Sequence, residues 1–285
     1  FEREEIDFNL KKIYSLLHSD GNSEIIKFLN VDAIDFCTFG NSKPFRVKVR
    51  NILNDNYTHF YVKKADASRI YGLELEDILS PDKINFLVYE NTLIEEHILG
   101  IPGDVFIKKN FKNCSDSEKA QIAKEFVKFN ERCLIRLLGD MRSYNYVVIP
   151  IHDFDQVVYK IRPIDFDQQS YEGSLKLYRP QFFIENYAMV DMVQKKLQES
   201  SVEQYRNEER ANVAKRIHSS YKRIRSLMRI MSKDKIAPKE HLDQLKNELY
   251  EYTHDIKLKK VRSMGALLIV VFEFVSRNYK NVNRM

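Results

Sequence analysis

The order of apolar and polar positions divides the chain into an extended first part and a helical second part. Over residues 6–30 the apolar residues recur at helical spacing: Ile6, Leu10, Ile13, Leu16 and Leu17 fall on one face, Gly21 interrupts, and Ile25, Ile26 and Leu29 resume. Short extended runs follow. Residues 33–39 lead into the turn cluster Gly40-Asn41-Ser42-Lys43-Pro44. Residues 45–52 then alternate Phe45, Val47 and Val49 against Arg46, Lys48 and Arg50, as a half-exposed strand does. After the turn Asn54-Asp55-Asn56, residues 58–64 form a third run, so an antiparallel meander is predicted. A helix is expected over 67–79, stopped by Ser80-Pro81, and two more strands over 84–89 and 93–99, ending at Gly100-Ile101-Pro102-Gly103.

A strong amphipathic helix is predicted over 117–138, with Ile122, Phe126, Phe129, Cys133, Leu134 and Leu137 on its apolar face and Ser115 or Asp116 as its cap. Beyond Gly139, residues 146–151 and 157–164 predict a hairpin turning at His152-Asp153-Phe154-Asp155. From about residue 181 the pattern is helical throughout, over 182–197, 202–231, 238–254 and 258–278. Strands with one helix, then a hairpin, then helices predict an α+β fold rather than alternating βαβ units.

Composition narrows the class. Of 285 residues, 44% are hydrophobic and 31% charged, which supports a sizeable folded core. The net charge of +5 suits an anionic small ligand but is too small to call for nucleic acid. Cys37, Cys114 and Cys133 are odd in number and have no metal-ligand spacing, so free thiols in a reducing compartment are expected. The longest apolar run, 266–275, contains Glu273 and falls far short of the roughly 20 residues of a membrane span. With no secretory signal at its start, the chain is expected to be cytoplasmic and without a membrane partner. None of the seven histidines pairs at metal-ligand spacing, and no serine sits in a G-x-S-x-G elbow.

The chemistry concentrates in Leu138-Gly139-Asp140-Met141-Arg142-Ser143-Tyr144-Asn145. An Asp and an Asn stand five positions apart in a loop between a long helix and a hairpin, and Ile164-Asp165-Phe166-Asp167 ends the hairpin's return strand. This order brings Asp140, Asn145 and Asp165 to one end of a small sheet. Phosphoryl transfer needs such a set: a carboxylate for the acceptor's proton and hard oxygen ligands for Mg²⁺.

These segments resemble the protein-kinase-like superfamily, in particular its small-molecule branch of aminoglycoside phosphotransferases and choline kinases. That branch carries a His-Gly-Asp…Asn loop followed by an Ile-Asp-Phe/Trp-Asp strand end. The resemblance implies a two-lobed fold: a first lobe over 1–99, with the N-terminal helices, a five-stranded antiparallel sheet and one helix, and a mainly helical second lobe over 100–285. It implies ATP and Mg²⁺ as cofactors, Asp140 as catalytic base, Asn145 and Asp165 as metal ligands, and Arg142 as a basic residue reaching the γ-phosphate. Leu138 departs from the pattern, where the family usually has His, and so lacks a structural contact of that loop. Phe60-Tyr61-Val62-Lys63 resembles the strand whose Lys holds the phosphates, with Lys64 as the neighbouring candidate. Glu74, or else Glu76, would be its ion-pair partner. Ser42, in a loop with the single glycine Gly40, would offer backbone amides to the phosphates, and Glu96 to Ile98 would bind adenine as the inter-lobe hinge.

One further feature stands apart. Lys215, Arg216, Lys222, Arg223, Arg225 and Arg229 have no acid among them, while Val213, Ile217, Tyr221, Ile224, Met228 and Met231 form an apolar stripe. No interleaved aromatic platform accompanies the bases, which disfavours nucleic acid. Two readings result: a phosphotransferase with a small hydroxyl-bearing acceptor, or a kinase-like module that binds nucleotide or a macromolecular partner through its basic helical region. A long activation segment is absent, which argues against a regulated protein kinase.

Overall fold

The computed structural model describes residues 2–38, 42–154 and 156–279. They form an α+β protein of two compact units, residues 1–66 with 83–97 and residues 67–82 with 98–285.

The first unit begins with α1 (Glu2–His18), whose first turn carries Glu2, Glu4 and Glu5 against the positive end of the helix dipole. Asp20 and Gly21, both at positive φ, end it. The strands β1 (Leu29–Phe36), β2 (Phe45–Asn51), β3 (Asn56–Lys64), β4 (Phe86–Tyr89) and β5 (Thr92–Glu96) make one antiparallel sheet in the order β1-β2-β3-β5-β4. Period-two alternation gives the sheet two unlike faces. Val47, Val49, Phe60 and Ile94 pack with Tyr14 and Leu17 of α1 in a dry core. On the other face Arg46 lies opposite Tyr61 and Lys48 opposite His59, followed along β3 by Lys63. Phe45, which the alternation places inward, is half exposed and stacks on Phe36 with ring centres 5.2 Å apart.

The second unit contains α2 (Ala67–Leu79), with the bounds expected from the sequence, but this helix was expected to belong to the first lobe. Its apolar face explains the difference. Tyr71, Leu75, Ile78 and Leu79 join a core with Leu134, Val213, Ile217, Leu227 and Met231. Gly72 lies so close to Phe166 that a Cβ there would stand 2.8 Å from the Phe166 Cβ. The strands β6 (Ile101–Pro102), β7 (Tyr146–Asp153) and β8 (Gln156–Pro163) form a small antiparallel sheet. The one-turn α3 (Gly103–Val105) precedes the long α4 (Asp116–Arg136). Ser115 caps α4: its hydroxyl accepts from the Glu118 N–H at 3.2 Å, and the Glu118 carboxylate accepts from the Ser115 N–H at 2.7 Å.

After short 3-10 turns come α5 (Tyr187–Lys196), α6 (Glu199–Ser219), α7 (Tyr221–Met231), α8 (Lys239–Thr253) and α9 (Met264–Tyr279). The helix expected over 202–231 is therefore two, broken at Ser220, whose φ of −105° and ψ of 21° leave the helical region. The apolar stripe runs across this break, so periodicity alone does not reveal it. Gly265 lets α9 approach the end of α7, where a Cβ would lie 2.5 Å from the Ser232 nitrogen. No helix among the described residues is long and apolar enough to cross a membrane.

Candidate functional site

The loop carrying Asp140 is fixed where α4 stops. Leu137 takes a left-handed φ of 55° as the C-cap, and its N–H bonds back to the Cys133 and Leu134 carbonyls. The Gln169 side-chain amide donates to the Arg136 carbonyl at 2.5 Å and to the Leu137 carbonyl at 3.2 Å, satisfying groups that a helix end leaves unpaired. Leu138 is fully buried and bridges to Gln169 through its backbone. The loop is thus anchored by main chain and by Gln169.

Asp140 follows with φ of 54°, a left-handed conformation that Asp and Asn tolerate better than most residues. Two tight turns then close the loop: the Arg142 N–H donates to the Asp140 carbonyl at 2.8 Å, and the Asn145 N–H to the Arg142 carbonyl at 2.9 Å. The Asn145 side-chain nitrogen donates to the Asp140 carbonyl at 2.7 Å and to its Oδ2 at 3.2 Å. The Asn145 carbonyl accepts from the Ile164 N–H at 3.0 Å, which seats the loop beside the strand end carrying Asp165. Asp165 Oδ1 in turn accepts from the Asp167 N–H at 3.3 Å, and Asp167 pairs with Arg69 of α2 at 3.4 Å. Asp140, Asn145 and the Ile164-Asp165 strand end therefore come together, as their order along the chain predicts.

Beneath the loop lies a buried polar layer. Asn186 donates to the Met141 carbonyl at 2.9 Å and to the Pro180 carbonyl at 2.8 Å, and accepts from the Tyr146 hydroxyl at 2.8 Å. Gly103 packs under the same place: a Cβ there would lie 2.5 Å from the Ser143 carbonyl oxygen. Arg142 crosses the mouth. Its Nε donates to Asp140 Oδ1 at 2.8 Å, a terminal nitrogen donates to Glu185 Oε1 at 2.7 Å, and the guanidinium sits 5.1 Å from the Phe183 ring centre. Its hydrogen bonds to Asp140 and then Glu185 hold the Arg142 pKa above its ordinary value. Glu185 is held below the usual range, first by its own backbone N–H and with Arg142 adding to the effect. Glu172 is raised, chiefly by burial, with the Asp140 charge contributing in the same direction.

Among the described residues, no group of three or more His, Cys, Asp or Glu is placed to hold a metal ion by protein ligands alone. The hard donors at this loop still fit a Mg²⁺ that takes phosphate oxygens for its remaining positions. With its nitrogen committed to Asp140, Asn145 keeps its amide oxygen as an acceptor, and the Asp165 carboxylate stands at the neighbouring strand end.

In the first unit, Lys63 Nζ meets Glu95 Oε2 at 2.7 Å, with side chains 8% and 6% exposed, whereas Lys64 is exposed. Of the two lysines, Lys63 is the one held in a built environment. The helix glutamates have other partners. Glu74 pairs with Arg223 at 2.7 Å, and buried Glu76 pairs with Arg136. Within its own unit α2 thus turns both expected partners of Lys63 toward arginines, and within the first unit Lys63 meets Glu95. The Glu96 N–H donates to the Asn85 carbonyl and the His97 N–H to the His59 carbonyl, both at 3.0 Å. Sheet pairing thus commits the first two amides of the expected adenine hinge, while Ile98 is buried. Ser42 is half buried beside Lys43, which has φ of 40°; Gly40 lies outside the described residues.

Sequence reasoning missed Glu185, Asn186 and Gln169. Glu185 reaches Arg142 across 43 positions, Asn186 reaches Met141 across 45 and Gln169 reaches Leu137 across 32, and no local pattern marks such contacts. The chain matches no protein-family model, and no curated protein is significantly similar to it.

Proposed function

We propose that the chain is an ATP- and Mg²⁺-dependent phosphotransferase of kinase-like plan acting on the hydroxyl of a small molecule. One observation carries this reading: a left-handed Asp140, tied to Asn145, on a loop hydrogen-bonded to the strand end that presents Asp165. In this reading the acceptor oxygen forms a bond to the γ-phosphorus as the bond to the β,γ-bridging oxygen breaks. ADP leaves with that electron pair, and the hydroxyl proton passes to Asp140. Asn145 and Asp165 would hold Mg²⁺, which when bound neutralises charge on the phosphates. Arg142 positions Asp140 through its Nε and offers a cation near the transferred group.

One feature favours the second reading, a kinase-like module without turnover. Both carboxylate oxygens of Asp140 are already engaged, one by Arg142 and one by Asn145. ATP consumption against a panel of hydroxylated metabolites, measured beside nucleotide affinity with and without Mg²⁺, separates the two. The enzyme reading expects Asp140→Asn to lower kcat by about 10²–10⁴-fold with ATP affinity nearly unchanged. Asn suits the left-handed position as well as Asp, so the fold is retained. Asp165→Asn should abolish the Mg²⁺ dependence of nucleotide binding. Undiminished turnover in either variant removes that residue from the site, and absence of turnover in the unmodified chain favours the module.

A further inference from the structure

The four arginines of the basic stretch singled out in the sequence fall into two pairs. Arg216 and Arg223 serve the fold: Arg216 donates to the Leu79 carbonyl at 3.2 Å, and Arg223 clamps Glu74 at 2.7 Å and Asp77 at 2.5 Å. Arg225 and Arg229 do not. Both are exposed, and among the described residues neither meets an acidic side chain. They stand on α7 along a groove of about 730 Å³ lined by the end of α6, by α7 and by α9, within the size range of binding clefts.

The groove has an apolar floor and a basic rim. Ile217, Ile224 and Met228 line one wall and Phe272 the other, with Ile269 on α9 37% exposed at the edge. Ile224 and Met228 of α7 stand one turn apart, as do Ile269 and Phe272 of α9. Arg277 adds a further positive group, already paired with Asp255. Glu273 is the one acid of the lining, and Lys257 neutralises it at 2.7 Å.

We infer that this groove receives an acidic amphipathic helix of a partner protein. The walls are helices, α6 and α7 on one side and α9 on the other, so the groove offers no strand edge for an extended peptide to extend. An occupant must satisfy its own backbone while presenting an apolar stripe, which a helix does. Its flanks must be acidic because the unpaired rim charges are Arg225 and Arg229. Residues 280–285 of this chain, with Lys280 and Arg284 and no acid, have the wrong sign for the role. The inference is independent of phosphoryl transfer.

Two labelled synthetic peptides of about 15 residues, roughly four helical turns, share a Leu stripe and differ in carrying Glu or Lys on its flanks. Each is titrated against the full chain by fluorescence anisotropy. The Glu peptide should bind saturably, weaken as salt rises, and bind at least about tenfold tighter than the Lys peptide. R225E/R229E should reverse that preference, and Ile269→Asp should weaken binding of the Glu peptide. All three positions are exposed, so the variants should keep the wild-type circular dichroism. Equal binding of both peptides, no saturation by the Glu peptide, or an unchanged preference in R225E/R229E overturns the inference. Phosphatidylserine vesicles run beside the peptides: vesicle binding lost in R225E/R229E, with no Glu-peptide binding, would reassign the groove to a lipid surface.

Discussion

Lys63 in the first unit and Arg136 in the second are both nearly dry cations facing a carboxylate, yet their surroundings differ. Lys63 and Glu95 lie on the polar face of a sheet whose other face holds the apolar core. Arg136 and Glu76 sit at 2% and 1% exposure between α4 and α2, next to Ile135, Leu75 and Leu79 of the large core. Burial pushes the Arg136 pKa down, and the Glu76 carboxylate beside it favours the cation. A pair enclosed by apolar packing has no role open to solvent, so Arg136–Glu76 holds elements together. To take the phosphate-holding role that the resemblance implies, Lys63 would have to exchange Glu95 for that ligand.

The largest effect that can break this comparison is at Glu76. Glu76→Ala leaves Arg136 as a buried uncompensated charge and should cost about 3–5 kcal/mol of unfolding free energy. The double variant E76L/R136M should recover most of that loss, since apolar replacements of a buried pair are often neutral or stabilising. Urea melts of both variants check it; a double variant as unstable as Glu76→Ala would mean that the pair shapes the fold beyond its charge. For Lys63→Met a smaller stability loss is expected, because Lys63 and Glu95 keep 8% and 6% exposure, together with weaker ATP binding by isothermal calorimetry. If Lys64→Met weakens ATP more, the phosphate-binding role moves off the buried lysine.

The smallest effect is a pH dependence. Glu118 accepts from the Tyr159 hydroxyl at 2.6 Å and from the Ser115 N–H, and these bonds lower its pKa to about 2. A carboxylate depressed in the folded state contributes stability above its unfolded pKa, near 4.5, and loses it as pH falls toward 2. Acid titrations of Glu118→Gln should therefore lack part of the wild-type decline in that window. Coincident curves would show that the capping box of α4 does not report on acid stability.

The same contrast explains what the sequence revealed. Alternation of Val47 and Val49 against Arg46 and Lys48 is a local pattern, and it located the strands and the two sheet faces. The bounds of α2 and the Ser115 cap were equally local. Period-two and period-3.6 patterns say which residues turn inward, but not what they meet there. For that reason Glu76 was not matched to Arg136, nor Glu74 to Arg223, and α2 was assigned to the wrong unit. At the candidate site, the five-residue interval between Asp140 and Asn145 was legible because a loop closes within itself. Glu185, reaching Arg142 from 43 positions onward, was not.

The membership of α2 bears on the order in which the molecule assembles. β3 pairs with β5, and residues 65–91 between them include a helix that belongs to the other unit. The first sheet can form its β1-β2-β3 meander through short local turns. Its last two strands join only after a long closure, one that carries a larger entropic cost than a hairpin turn. The chain passes from one unit to the other after Asp66, Asp82 and His97, so neither unit is a continuous stretch that a ribosome releases whole. A fragment ending after Lys64 would present β3 with an unpaired edge, the kind of surface through which incomplete sheets aggregate.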